Sequence, residues 1–163
     1  MAYDVVIFDL DGTLLDTLDD LMDSCNYALS TIGAPPRTRA EIRRFVGNGI
    51  RNLMLQAVPD GADNPKFEQA YETMQTWYKA HNQIKTAPYP GVQRLIRTLK
   101  QQGVPMAVVS NKPDASVQML VEQWFPEITF GLGEREGLRR HLDELEAWVQ
   151  RDIWGEPYDQ NEE

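Results

Sequence analysis

Val5, Val6, Ile7 and Phe8 form a continuous apolar run, β-branched and aromatic, within residues 3–10. Such a run predicts a short strand buried on both faces, as in a parallel sheet. It ends in the polar turn Asp9-Leu10-Asp11-Gly12-Thr13. From Leu14 to about Ala87 the spacing turns helical. Leu18, Leu21, Met22, Cys25, Ala28 and Leu29 recur three and four residues apart, until Gly33 and Pro35-Pro36 break the pattern. Thr38 followed by Glu41 reads as a helix cap. The helix behind it runs towards Phe45-Val46, is interrupted at Gly47-Asn48-Gly49 and resumes over 50–57. Residues 59–65 read as a loop. A long helix follows over 67–84, with Phe67, Ala70, Tyr71, Met74, Trp77 and Tyr78 on one face.

Pro88, Pro90 and Gly91 punctuate the chain, and Val92, Leu95, Ile96 and Leu99 mark an amphipathic helix closed by Gly103. Residues 104–109 (VPMAVV) form a second buried-strand pattern, ending at Ser110-Asn111-Lys112-Pro113. Pro113 suits the first turn of the next helix, which Val117, Leu120, Val121 and Trp124 continue. Residues 128–130 form a weaker third strand pattern. Strand and helix thus alternate around a helical insertion of roughly seventy residues, which predicts an α/β fold. Its core is a Rossmann-like parallel sheet with right-handed crossovers, built from 1–14 and 88–137, with an all-helical unit inserted at 15–87. Leu138, Leu142, Leu145, Trp148, Val149 and Ile153 form the stripe of a further amphipathic helix, and an acidic tail expected to be disordered follows Gly155.

Charge narrows the class of ligand. The net charge is −9 and the pI about 4.7, which speaks against a nucleic-acid partner, since phosphate backbones call for a basic surface. An anionic substrate would need a site made locally from backbone N–H groups, a metal and a few cations. Cys25 is the only cysteine, so no intramolecular disulfide is available. No apolar run is long enough to cross a membrane, and the N-terminus has no basic leader. A cytoplasmic location is the expectation from these features.

In open α/β sheets ligands bind beyond the carboxyl ends of the strands. Here one predicted strand ends in Asp9 and Asp11, the other in Ser110, Asn111 and Lys112. Two carboxylates spaced two apart can divide labour: one attacks phosphorus, the other protonates the leaving oxygen and later activates water. Gly12 allows a close backbone turn around a phosphate. Magnesium would neutralise the crowded anions. Plainer readings exist for each feature. Asp-Gly can be an ordinary turn, Ser110 or Asn111 a helix cap, Lys112 a solvated side chain, and Gly47 and Gly49 a simple bend. Arg51 suits a surface role better than an anion contact. His81 and His141 read as surface residues, with no ligand or base partner in view.

The string VVIFDLDGTLLDT resembles the first motif of the haloacid dehalogenase-like superfamily. VVSNKP resembles its second motif, and FVGNG inside the insertion narrows the resemblance to small-molecule phosphatases with a helical cap. The resemblance covers roughly residues 3–138. It implies Asp9 as nucleophile and Asp11 as general acid and base, both of them magnesium ligands. It further implies Gly12, Thr13, Ser110, Asn111 and Lys112 around the phosphoryl group, and Gly47, Asn48 and Gly49 as a substrate loop of the cap. The implied activity is magnesium-dependent hydrolysis of a small phosphorylated metabolite through an aspartyl-phosphate. The family's later lysine and its acidic pair on a further strand have no match here. Asp143, Glu144 and Glu146 sit in a helical pattern and do not replace that pair. Two other readings follow from the gap. One is a non-catalytic binding protein that forms a homo-oligomer through an exposed sheet edge or the 138–154 helix; the other is a phosphotransferase relative. The same helix is also a candidate to cover the edge of the Asp9 strand.

Overall fold

The structure, a computed structural model, describes residues 4–134 and 138–155. It divides into two compact units, Met1–Leu14 with Pro90–Glu163, and Leu15–Tyr89.

The first unit is an α/β layer. β1 (Val6–Phe8), β4 (Met106–Pro113) and β5 (Phe130–Glu134) form a parallel sheet in the order β1-β4-β5. β4 is the central strand, with Ala107 and Val108 fully buried, as expected where side chains meet cover on both faces. α5 (Val92–Gln101) precedes it and buries Ile96. α6 (Asp114–Trp124) follows directly and packs on β4 and β5 through Val117, Leu120 and Val121. The third strand lies later than the 128–130 run predicts. Ile128 is buried ahead of it, and the pairing begins at Phe130, opposite Ala107. Gly131 and Gly133 obscured its extent, because glycine contributes no apolar signal to a pattern.

β4 is longer than its apolar run and irregular at its end. Val109 pairs with Leu132, but the next matched pair is Pro113 with Glu134, so Ser110, Asn111 and Lys112 bulge out of register. Gly133 makes this possible. A Cβ there would lie 2.4 Å from Asp114 Cα and 2.6 Å from the Lys112 carbonyl oxygen. The Gly133 N–H donates to Asp114 Oδ1 at 2.9 Å, which ties β5 to the start of α6.

α7 (Leu138–Trp148) continues into π-helical turns at Val149–Trp154. It packs against β5, with the Phe130 and Trp148 rings stacked 4.8 Å apart. The expectation that this helix covers the β1 edge is therefore corrected, since β5 lies at the other edge of the sheet. Of the predicted stripe, Trp148 is buried and Leu145, Val149 and Ile153 are half-buried. The side chains at 138, 141 and 142 and the acidic tail at 156–163 lie outside the described residues.

The second unit is mainly helical: α1 (Leu18–Thr31), α2 (Arg39–Phe45), α3 (Gly49–Ala57) and α4 (Phe67–His81). Cys25, Leu29, Ile42, Met54 and Met74 are fully buried at its centre. Thr38 and Glu41 form a reciprocal capping box at the start of α2. The expected all-helical insertion needs one correction. β2 (Leu15–Asp16) and β3 (Ala87–Pro88) pair antiparallel and join the two ends of the unit. α4 correspondingly stops at His81 rather than near Ile84, because Lys85 and Thr86 are drawn onto the side of α1.

Candidate active site

The parallel sheet brings the carboxyl ends of β1 and β4 to the same side, and that is where the chemistry collects. After Phe8 the chain turns at once. Leu10 is fully buried and anchors the turn, its carbonyl accepting from the Thr13 and Leu14 N–H groups. Gly12 has φ +76°, a left-handed conformation that side-chain-bearing residues rarely adopt. Gly12 and Thr13 are exposed at the tip of the turn.

Asp9 faces solvent and takes the Leu10 N–H on Oδ1 at 2.8 Å. Its carboxyl is raised above the ordinary aspartate value, chiefly by partial burial. The Leu10 N–H opposes that shift and the neighbouring Asp11 charge adds to it. The two carboxylates are thus near enough to sense each other.

Asp11 is paired across the sheet. Lys112 Nζ donates to its Oδ1 at 3.1 Å, with the lysine side chain 6% and the aspartate side chain 19% exposed. Lys112 is therefore not a solvated surface lysine. The β4 bulge turns it inward, and its backbone N–H donates to Ser110 Oγ at 3.2 Å. Ser110 is buried and Asn111 exposed. Ser110 does not cap α6, whose start at Pro113 has no side-chain cap. A buried lysine costs several kcal/mol unless a counter-charge meets it, and Asp11 provides that charge. The arrangement joins a solvent-facing carboxylate, a second carboxylate held by a cation, and a buried hydroxyl at one sheet end.

The oxygen donors suit a hard cation such as magnesium, but their number does not complete a site. Among the described residues no three His, Cys, Asp or Glu side chains are placed to hold a metal ion. Asp9 and Asp11 are the available carboxylates, and Lys112 already engages one of them. Asp143, Glu144 and Glu146 occupy exposed positions on α7.

Gly47, Asn48 and Gly49 belong to the helical unit, at the junction of α2 and α3. Gly47 has φ +128° and Gly49 φ +81°, so the bend depends on both glycines. Arg51, next along α3, is engaged within the unit. It pairs with Glu68 and lies over the Phe67 and Tyr71 rings. His81 is half-buried at the end of α4. It stacks on Trp77 at 3.9 Å, and its Nδ1 lies 2.8 Å from the Trp77 carbonyl oxygen. Asp20 and Thr86, a buried polar pair in the helical unit, escaped the sequence reading altogether. Their only signal is phase: Asp20 falls on the buried helical stripe one residue before Leu21.

Comparison with known proteins agrees with this arrangement. The profile of haloacid dehalogenase-like hydrolases matches residues 6–130. The phosphoglycolate phosphatase of Pseudomonas putida KT2440 is 37% identical over 124 residues, covering 73% of this chain and 45% of that protein. That of Agrobacterium fabrum is 33% identical over 139 residues, covering 78% and 58%. The chain thus spans about half the length of the curated relatives it matches. A crystal structure from Lactobacillus delbrueckii subsp. bulgaricus, provisionally assigned as a phosphoglycolate phosphatase, superposes with a TM-score of 0.82 at 34% identity. It covers 96% of this chain and 75% of that one. With the motif residues gathered at one sheet end and the profile spanning most of the sequence, the chain belongs to the haloacid dehalogenase-like hydrolase family.

Proposed function

We propose that this chain carries the nucleophile half of a phosphatase site for a small phosphate monoester such as 2-phosphoglycolate. The observation that supports it most is the buried Lys112–Asp11 pair beside the solvent-facing Asp9 carboxylate. Asp9 attacks phosphorus, the bond to the leaving oxygen breaks, and Asp11 delivers a proton to that oxygen. An aspartyl-phosphate remains on Asp9. Asp11 then takes a proton from the attacking water, and the acyl phosphate is cleaved to carboxylate and inorganic phosphate. An incoming phosphoryl dianion competes with Asp11 for Lys112. Ser110, Asn111 and the backbone at Gly12 and Thr13 hold the phosphoryl oxygens, and Gly47, Asn48 and Gly49 of the helical unit select the substrate. Magnesium, when bound, supplies neutralising charge between carboxylates and phosphate. Asp9 and Asp11 are the residues of this chain that would hold it, and they leave its shell incomplete.

The test is phosphate release from 2-phosphoglycolate and from an aryl phosphate, with and without magnesium, by this chain and by Asp9→Asn. Release that requires both Asp9 and magnesium supports the proposal. Equal rates for the two proteins, each shown to be folded, overturn it.

One observation favours a second reading, a non-catalytic interaction protein. In the sheet of described residues β1 pairs with β4 alone, and Ile7 is 46% exposed. An open strand edge invites pairing with another chain. In that reading the protein self-associates with rising concentration and shows no Asp9-dependent turnover, which sedimentation and the same assay distinguish.

A further inference from the structure

Asp20 is an ionisable residue buried to 3% exposure in the first turn of α1, outside the motif that carries Asp9 and Asp11. A carboxylate in such a place is tolerated only where hydrogen bonds replace its water. Both its oxygens serve one short segment. The Lys85 N–H lies 3.0 Å from each of Oδ1 and Oδ2. The Thr86 N–H and the Thr86 hydroxyl both donate to Oδ2 at 2.8 Å. Thr86 is itself buried and directly precedes β3, which pairs with β2 just ahead of α1. One turn further along α1, Asp23 pairs with Lys85 Nζ. On the β2 side, Arg39 reaches Asp16 at 3.3 Å and Asp19 at 2.7 Å. The acidic residues at 16, 19, 20 and 23 are thus fasteners in two pairs, 16 and 19 on Arg39 and 20 and 23 on the 85–86 segment.

We propose that Asp20 is a positioning residue that latches the returning chain to α1. Through it, the two ends of the helical unit, β2 and β3, are held together as one ribbon. The β2–β3 ribbon has two residues per strand and is too short to hold itself. The carboxylate supplies what the ribbon lacks, because it collects backbone donors that no helix or strand takes up. The inference holds whether or not the chain turns over a phosphate ester.

Amide hydrogen exchange on the full chain tests it. Asp20→Asn is expected to speed exchange at positions 85 and 86 at least tenfold, while amides near Leu29 and Met74 change less than twofold. Thr86→Val keeps the side-chain volume but removes the hydroxyl, and is expected to speed exchange there about tenfold. Thr86→Ser keeps the hydroxyl and is expected to stay within threefold of the parent. The two threonine variants decide the matter should Asp20→Asn fail to fold. Faster exchange in Thr86→Ser but not in Thr86→Val would show packing in place of a latch and overturn the proposal. So would unchanged protection in Asp20→Asn, or an equal rise throughout the four helices.

Discussion

Lys112 Nζ and Asp11 Oδ1 meet at 3.1 Å although 101 residues separate them in the chain. The pair sits where β1 and β4 end side by side. Read alone, the Ser110-Asn111-Lys112 string offers a lysine but not its partner; the fold sets that lysine, 6% exposed, against Asp11. Lys112→Ala is expected to lower kcat/KM for phosphate release by about a hundredfold or more, the scale seen when a charge-stabilising donor is removed from a transition state. Lys112→Arg should recover only part of the loss, because a guanidinium does not fit a contact built for a compact ammonium. Steady-state kinetics of the three proteins check this.

Gly133→Ala places a methyl group against Asp114 Cα and the Lys112 carbonyl oxygen, at distances that real contacts do not reach. Backbone on both sides must move. The expected cost is about 3 kcal/mol, at the upper end for overpacking, read as a lower urea midpoint at unchanged slope. Turnover, if present, should fall with it, because the atoms displaced carry Lys112.

Burial pushes the Cys25 thiol up to about 12, with Arg37 opposing weakly. The folded-state value is raised, so the folded chain holds its proton where the unfolded chain, near 9, has lost it. Stability from this group is full below pH 9 and declines as pH rises towards 12. The slope is about 1.4 kcal/mol per pH unit in that window. Cys25→Ala loses packing at every pH but should lack this slope. Urea unfolding of both proteins between pH 8 and about pH 11 isolates the difference. Thiol reagents should label the unfolded chain and spare the folded one.

Thr38→Ala opens the capping box of α2 and should cost about 1 kcal/mol. The Thr38 N–H and hydroxyl lower the Glu41 pKa. A lowered carboxylate contributes above its unfolded value and loses that contribution as pH falls through the folded one. The difference between parent and Thr38→Ala should therefore shrink below about pH 4, seen in thermal melts across the acid range.

Much of this molecule was legible in the sequence for a simple reason. Val6, Ile7 and Phe8, or Leu29 and Met74, announce themselves by period, and DxDGT after a buried run is a rare string. The capping box at Thr38 and Glu41 was legible because its chemistry is local. What escaped was non-local or silent. Gly131 and Gly133 blurred the extent of β5, of which the 128–130 run caught only the start, because glycine adds nothing to an apolar pattern. β2 and β3 are two residues each, too short for any period to show. Asp20 and Ser24 share the buried phase of α1 with Thr17, Leu21, Cys25 and Ala28. A polar residue in that phase needs a partner, but the partner, Thr86, lies 66 positions away. The inward turn of Lys112 depends on the same kind of distant fact, since a glycine on the next strand sets it.

That last dependence reaches beyond stability. The bulge that presents Ser110, Asn111 and Lys112 takes its shape from β5, a strand that bears none of the motif residues. A mutational scan scored on turnover would therefore flag Gly133 alongside the aspartates, although glycine has no side chain with which to do chemistry. In lineages that drift, changes at Gly133 and in the Ser110-Asn111-Lys112 string should arise together, because neither strand can be edited alone.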